Sequence, residues 1–345
     1  MWAVVWVSRG RARRAVVAIA LLVALGAVKG LVGAQVVGLF GVAHVLYLDI
    51  VVVLPVAGLA LLVAARGRLV VRIAGAALLL FAPLGAYGSF VEPGRLVVER
   101  ARVEVPELRA GNGRIEVAVL SDLQFREVGK VQREAVDQAT RAKPDVILLP
   151  GDIHQGDESS LRRELPEIRT LLTGLSAPGG VYFVVGDVEG VGEARRVLSG
   201  TGVRLLHDEV ARVVVGDRQL TIGGIQRDWQ APGARRTVRR LESGRSRRDL
   251  RILLSHRPDA ALTLRRNTRV DLVVSGHTHG GQIQIPFFGP PFDASGVPRK
   301  VGGGGLHSLG GRRRVYVSRG IGLERGEAPR VRLLARPELS LLTLE

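Results

Sequence analysis

Residues 274–282 read VSGHTHGGQ and set two histidines, His277 and His279, into a glycine-rich turn after a short apolar run. The glycines allow the backbone to turn tightly and to approach a ligand closely. Alternate histidines in such a turn are able to address two neighbouring metal ions. Only seven histidines occur in the chain, so chance is a poor explanation for two of them in one turn. The turn therefore predicts a metal site at the carboxyl end of a strand.

Four further loops repeat the pattern of an apolar, β-rich run that ends in a polar group. The groups are Ser121-Asp122, Gly151-Asp152, Gly186-Asp187 and Ser255-His256, after the runs 115–120, 146–149, 181–185 and 252–254. Helix-length segments follow most of these runs, which is typical of an α/β fold. A lone aspartate after a strand is more often a helix cap or a turn residue. Because loops at the carboxyl ends of strands converge, five such loops in order predict one shared site of three aspartates and three histidines.

Composition restricts the ligands and partners. The chain has 345 residues and no cysteine, so any metal must be held by carboxylate, imidazole, amide or water. Its formal net charge is +17, but only 4% of its residues are aromatic and no basic stretch is interleaved with aromatic side chains. We therefore expect no nucleic-acid partner. The excess of arginine is interpreted as solvated faces, with attraction to anionic lipid headgroups as a by-product.

The five blocks, in this order, resemble those of the calcineurin-like metallophosphoesterases, and the resemblance covers residues 112–345. The segments YVSRGIG at 316–322 and RPELSLL at 336–342 look like the membrane-anchored bacterial branch of that family. The resemblance implies an α/β (α+β) fold: a four-layer sandwich of two mixed β-sheets flanked by helices, with a dinuclear site at one end. It implies hydrolysis of a phosphate mono- or diester.

Carried over residue by residue, the resemblance implies two divalent metal ions, either manganese, iron or zinc. The predicted ligands are Asp122, Gln124, Asp152 and His279 for the first ion and Asp152, Asp187, His256 and His277 for the second. Asp152 would bridge the two ions, and Asp152 and His256 are also predicted to be catalytic. Two metals about 4 Å apart activate a bridging hydroxide for in-line attack on phosphorus.

Three positions depart from the family pattern. Gln124 replaces a metal-binding histidine, and an amide oxygen is a weaker ligand than imidazole for a borderline metal. Asp187 replaces a neutral asparagine, so it adds negative charge that strengthens metal binding and weakens attraction for a phosphate. Val188 replaces the histidine that contacts phosphate and protonates the leaving oxygen. General acid catalysis of that kind contributes roughly a hundred- to ten-thousandfold in rate.

Glu189 and His154 are the candidate catalytic replacements for that proton donor, although both also fit structural or surface roles. Arg319 is either a phosphate ligand or a structural arginine, and Trp229 either lines the cleft or caps a core edge. The alternative function is a weakened or inactive relative that binds metal and a phosphorylated ligand without turnover. A metal-free scaffold is a third hypothesis, which leaves the register of the polar loops unexplained.

The N-terminal region predicts membrane helices. Residues 1–92 are read as a membrane region with about three spans at 15–48, 50–65 and 73–90, followed by a linker at 93–111 and the domain at 112–345. A cleaved signal peptide is the competing interpretation of residues 9–27, but two further apolar runs favour a retained anchor.

Arginines predict the orientation, because short positively charged segments stay cytoplasmic. The residues in question are Arg9, Arg11, Arg13 and Arg14 before the first span and Arg66, Arg68 and Arg72 before the third. With both groups inside, the domain faces outward from a bacterial cell membrane as part of a multi-pass protein. The lipid bilayer is then one partner, and a lipid-linked phosphate ester is the substrate that such an anchor favours.

Overall fold

The protein is described by a computed structural model over residues 40–65, 68–105, 113–243, 249–324 and 328–345. The chain divides into two compact units. One contains the described residues up to Val91 together with segment Glu324–Val331. The other comprises Glu92–Leu323 and Arg332–Glu345 and contains the described strands.

The first unit contains two long apolar helices, α1 (Phe40–Ala64) and α2 (Leu69–Gly94), of 25 and 26 residues, the second of which ends three residues after Val91. At 1.5 Å per residue each is about 38 Å long, enough to cross a hydrocarbon core of about 30 Å. The two backbones approach closely, since a Cβ on Gly58 would lie 2.6 Å from the carbonyl oxygen of Gly75. Small residues at such a contact are typical of membrane helix pairs.

The predicted spans differ from these helices at one boundary. The sequence predicts a break at Asp49, between the spans at 15–48 and 50–65, but α1 runs through this residue, with a π-helical stretch at Asp49–Val53. A single carboxylate leaves the helical backbone hydrogen bonds intact, so it does not end a helix as proline would. The predicted span at 73–90 lies within α2. Most of the predicted first span, residues 15–39, lies outside the described residues.

The second unit contains two six-stranded mixed sheets. The strands are β1 (Val97–Val103), β2 (Ile115–Val119), β3 (Val146–Leu149), β4 (Val181–Phe183), β5 (Val203–Leu205), β6 (Glu209–Val215), β7 (Arg218–Gly224), β8 (Leu250–Leu254), β9 (Leu272–Ser275), β10 (Gly305–Ser308), β11 (Arg314–Val317) and β12 (Glu338–Leu344). The order is β1-β12-β2-β3-β4-β5 in one sheet and β10-β11-β9-β8-β7-β6 in the other. The helices are α3 (Lys130–Arg141), α4 (Glu158–Thr173), α5 (Val191–Leu198), α6 (Pro232–Glu242) and α7 (Arg299–Gly302).

Side chains that alternate between the two faces of each strand pack the sheets and helices into four layers. In β3, Val146 and Leu148 join a core shared with the inner strands of the second sheet, whereas Ile147 and Leu149 join a core shared with α3, α4 and α5. Successive strand residues point to opposite faces, so both faces of this sheet are covered. A third core packs α6 and α7 on the outer face of the second sheet. The predicted sandwich of two mixed sheets flanked by helices is confirmed.

One strand lies in the segment that the sequence predicts as a linker. Residues Val97–Val103 form β1, which pairs in parallel with β12, so that Val97 lies opposite Glu338 and Val103 opposite Leu344. The charged residues of VVERARV hide the strand from a search for apolar runs. Its pairing partner lies about 240 residues away in sequence, so no local signal announces it.

Candidate dinuclear metal centre

Polar side chains from both sheets meet at the carboxyl ends of the strands. Asp122, Asp152 and His256 form one group, and Asp187, His256 and His277 form another. Within each group, one ligand atom per residue lies within 4.8 Å of the others, and His256 belongs to both groups. The structure therefore brings together five of the six carboxylates and imidazoles that the sequence predicts to converge.

The two buried aspartates are held by backbone amides. Asp152 Oδ1 accepts hydrogen bonds from the amides of Asp187 at 2.6 Å and Val188 at 3.1 Å. The Asp122 carboxylate accepts from the amide of His277 at 3.1 Å and from the Ser121 hydroxyl. Each carboxylate is thus tied to a neighbouring loop, and Asp152 Oδ2 is left facing the shared histidine.

The shared histidine has its lone pair aimed at carboxylates. His256 Nδ1 donates to the carbonyl of Pro150 at 2.7 Å, which places the lone pair of the neutral ring on Nε2. That buried nitrogen makes no hydrogen bond within the described part of the chain. It lies 3.6 Å from Asp152 Oδ2 and 3.4 Å from Asp187 Oδ2. A lone pair that faces two carboxylates requires a proton or a cation between them, so this donor set fits a divalent metal.

His277 repeats the arrangement at the edge of the site. Its Nε2 donates to the carbonyl of Ala294 at 2.9 Å, and its Nδ1 lies 2.8 Å from Asp187 Oδ2. His279 is buried, with Nε2 3.9 Å from Asp122 Oδ1. Gln124 is also buried, and its backbone N–H donates to the backbone carbonyl of Asp152 at 3.0 Å. His279 therefore flanks the Asp122 side of the centre.

The electrostatics of the cluster favour cations. Burial raises the pKa of Asp122 to about 6, with Asp152 adding to the effect. Burial works to lower the pKa of His256, but Asp152 and the other carboxylates raise it to about 10. Burial opposes ionisation of Asp187, yet the facing rings of His256 and His277 hold its pKa well below the usual range. A bound cation would compete with protons for these groups, so metal binding there should release protons.

The backbone is strained at most of the predicted ligand positions. Asp122, Gln124, Asp152, His277 and His279 have φ values of 48°, 34°, 58°, 71° and 50°. Left-handed φ is uncommon for residues with a side chain, and it persists where surrounding structure enforces it. Concentration of this strain in three adjacent loops is typical of a functional site.

Glycines make room for the carboxylates. A Cβ on Gly186 would lie 2.0 Å from Asp152 Oδ1, and one on Gly276 would lie 2.3 Å from Asp122 Oδ2. The glycines of the Gly-Asp and Gly-His pairs thus allow neighbouring loops to pack closely. Each glycine belongs to one loop and accommodates the aspartate of another.

Glu189 is placed differently from a proton donor. Its Oε1 accepts from the amides of Asp152 at 3.0 Å and Gly186 at 2.6 Å, and its Oε2 accepts from Ile153 at 3.1 Å. The residue is only 8% exposed. Burial and the nearby Asp152 raise the pKa of Glu189 to about 8. Its carboxyl group holds the loops after β3 and β4 together, which accounts for its position in the motif.

His154 also points into the protein. Its Nε2 lies 3.2 Å from Ser160 Oγ, and its ring meets Phe125 edge to face with 6.2 Å between centroids. Burial lowers the pKa of His154. Among the described residues, neither metal-binding group includes it. The structure thus favours the structural interpretation of His154.

Two arginines at the centre were missed by the sequence analysis. Arg257 forms a two-nitrogen salt bridge with Asp187, with a shortest distance of 2.9 Å. Arg332 is fully buried, donates to the carbonyls of Ala335 and Gly322, and lies 3.4 Å from His279 Nδ1. Arg257 follows a predicted ligand, so its position was a usable signal. Arg332 lies outside every motif and offered none.

Arg319 has a structural role, whereas Trp229 combines the two roles that the sequence leaves open for it. Arg319 pairs with Glu338 at 2.7 Å and with Glu99, so its charge is satisfied within the fold. Trp229 packs against the outer core of the second sheet and lies 5.9 Å from the guanidinium of Arg257. It therefore both covers a core edge and stands beside the metal centre.

Comparisons with known proteins agree with this geometry. The family model described as Calcineurin-like phosphoesterase matches residues 115–281. A metallophosphoesterase of Caenorhabditis elegans is 30% identical over 217 residues, covering 59% of this chain and 43% of that protein. The phosphodiesterase YaeI of Escherichia coli is 27% identical, covering 75% of this chain and 92% of that protein. A Danio rerio transmembrane protein with a metallophosphoesterase domain is 29% identical, covering 71% of this chain and 57% of that protein. The chain thus spans about half the length of the worm and fish proteins and nearly all of the bacterial one.

Proposed function

We propose that the protein is a metal-dependent hydrolase of phosphate mono- or diesters, on the premise that residues 115–281 match the model of the calcineurin-like phosphoesterase family. The observation that carries the proposal is the buried Nε2 of His256, which faces Asp152 and Asp187 without a hydrogen bond within the described residues. His256 belongs to both ligand groups and so links them.

Two divalent ions fit the donors present. The first would be held by Asp122, Gln124, Asp152 and His279, and the second by Asp152, Asp187, His256 and His277. When bound, such a pair of ions supplies an activated water nucleophile and stabilises charge on the phosphoryl oxygens. Hard carboxylate and borderline imidazole ligands suit manganese, iron or zinc.

The chain's own residues supply positioning rather than proton transfer to the leaving group. Asp152 is fixed by the amides of the loop after β4, and His256 is oriented by the carbonyl of Pro150. Val188 has no titratable group. Glu189 and His154 are engaged inside the protein. We therefore propose that the enzyme acts best on esters whose leaving groups depart without protonation.

The setting proposed for this reaction is a membrane surface. Helices α1 and α2 are long and apolar enough to span a bilayer, and one relative is named as a transmembrane protein. We propose a multi-pass protein of a bacterial cell membrane with its catalytic domain outside, because the arginines before the first and third predicted spans favour that orientation. A lipid-linked or headgroup phosphate ester is the substrate class that such confinement favours.

The second candidate function is binding of metal and a phosphorylated ligand without turnover. Gln124 and Val188 together favour it, since one weakens a metal ligand and the other removes a proton donor.

Metal content and hydrolysis separate the two functions. Elemental analysis of the purified full chain should find two divalent ions per chain, and an activated aryl phosphodiester should be hydrolysed after addition of manganese. Asp152→Ala is the matched inactive control. Two ions without turnover on activated mono- and diesters would establish the binding function, and absence of both would establish the scaffold.

A further inference from the structure

Asp187 carries a guanidinium on the same carboxylate that faces the metal-binding histidines. Arg257 Nε and Nη2 lie 3.2 and 2.9 Å from Asp187 Oδ2, and 3.3 and 3.0 Å from Oδ1. The Asp187 side chain is 23% exposed and that of Arg257 is 31% exposed. The pair is therefore at the rim of the metal centre, where a ligand from solvent has access.

The carboxylate has capacity for both partners. Oδ2 is the atom nearest His256 and His277, at 3.4 and 2.8 Å, so a cation held by those rings would bind there. Oδ1 still accepts from Arg257, because an ionised carboxylate has about four acceptor positions. Asp187 thus fixes a positive charge directly beside the second metal position.

Part of the guanidinium remains available. The hydrogen bonds to Asp187 use Nε and Nη2, and within the described residues Nη1 of Arg257 makes none. Arg227 lies nearby, 61% exposed, with its Nε 3.8 Å from Asp187 Oδ1. The ring of Trp229 stands 5.9 Å from the Arg257 guanidinium. Val188, at the neighbouring position, is apolar and cannot bind an anion.

We propose that Arg257 binds the phosphate group of the substrate through Nη1 and so replaces the phosphate contact that valine at position 188 cannot make. Asp187 orients the guanidinium, and Arg227 adds positive charge at the same rim. A guanidinium donates hydrogen bonds to phosphate in a fixed fork but never gives up its proton. The residue therefore supplies binding and charge stabilisation, and the leaving oxygen receives no proton from it.

This inference rests on the proposed function, and its test measures binding without turnover. Inorganic phosphate is titrated calorimetrically into the manganese-loaded full chain, and metal content is measured on the same samples. Arg257→Ala should retain its metal and weaken phosphate binding by roughly ten- to a hundredfold, the value of a hydrogen bond between charged groups. Arg257→Lys should recover part of that loss, because it restores charge without the fork.

The control is Arg212→Ala, an exposed arginine on the edge strand β6 that removes the same charge away from the centre. It should leave phosphate affinity unchanged. Trp229 serves as the optical probe, in a variant in which the other two tryptophans of the sequence, Trp2 and Trp6, are changed to phenylalanine. Addition of phosphate should change the fluorescence of that single-tryptophan protein.

A double-mutant cycle tests the orienting role of Asp187. In an Asp187→Asn background, Arg257→Ala should cost several-fold less phosphate affinity than in the parent, because the guanidinium has already lost its tether. Equal phosphate affinity in the parent and Arg257→Ala overturns the proposal. So does loss of metal from Arg257→Ala in step with loss of phosphate, since the arginine would then serve only to support Asp187. A parent that binds phosphate but hydrolyses nothing refutes the proposed function alone.

Discussion

Replacing Glu189 distinguishes a loop-supporting carboxylate from a catalytic acid. Its two oxygens accept from three backbone amides, those of Asp152, Ile153 and Gly186. In Glu189→Gln the remaining carbonyl is best placed at the Oε1 position, where it keeps two of these bonds. The new NH2 group then faces the amide of Ile153, donor against donor.

The expected loss follows from that count. One buried amide left without an acceptor costs about 1–3 kcal/mol of unfolding free energy, so above pH 8, where Glu189 is ionised and both its oxygens accept, Glu189→Gln should be destabilised by that amount. Glu189→Ala leaves all three amides without this acceptor and should lose roughly 3 kcal/mol or more. The loops carry Asp152, so metal content should fall along with stability.

Two measurements on the full chain check the reasoning. Urea denaturation gives the loss of unfolding free energy, and hydrogen–deuterium exchange shows where protection is lost. Exchange should accelerate in peptides spanning residues 150–154 and 184–189 and stay unchanged in Lys130–Arg141, the helix α3. A catalytic acid would behave differently: Glu189→Gln would lower the rate roughly a hundredfold or more while stability, metal content and exchange stayed as in the parent. That pattern would refute the structural assignment.

Three further outcomes follow from the site and the sequence. Asp152→Asn should lower metal occupancy at both positions, because it removes the only carboxylate assigned to both ions; elemental analysis that still finds two ions per chain would reject the bridge. Gly276→Ala should lose metal and about 1–3 kcal/mol of stability through overpacking, since its Cβ would lie 2.3 Å from Asp122 Oδ2. Gly192→Ala, with nothing within 4 Å of its Cβ, is the control and should keep both. A reporter fused after Glu345 should be extracytoplasmic; a cytoplasmic signal would imply an even number of spans.

The convergence of the polar loops was predictable from sequence because two signals coincide there. Short apolar runs mark buried strands, and a polar group at the end of each run marks one edge of a sheet. Asp122, Asp152, Asp187, His256 and His277 all follow such runs, and they form two groups of three in which the ligand atoms lie within 4.8 Å of one another. Sequence position alone was sufficient, because each residue is placed by its own strand.

Side-chain direction was not predictable in the same way. Glu189 and His154 lie in the correct loops, but Glu189 accepts from three amides and His154 packs against Ser160 and Phe125. Those partners are supplied by chain segments up to 37 residues away. Arg332 illustrates the limit further, since it lies outside every motif and its neighbour His279 is 53 residues away in sequence.

The substitution at Asp187 shows how the geometry alters a conclusion drawn from residue identity. Taken alone, a carboxylate in place of a neutral amide adds negative charge and should repel a phosphate. In the fold, Arg257 binds that carboxylate at 2.9 Å, and Arg227 stands 3.8 Å away. The rim therefore carries two positive charges, those of Arg257 and Arg227, against the one negative charge of Asp187. Asp187 also faces the histidines of the second metal position, so metal affinity and phosphate affinity are coupled through this one side chain. Altering either arginine should change phosphate affinity without abolishing metal binding.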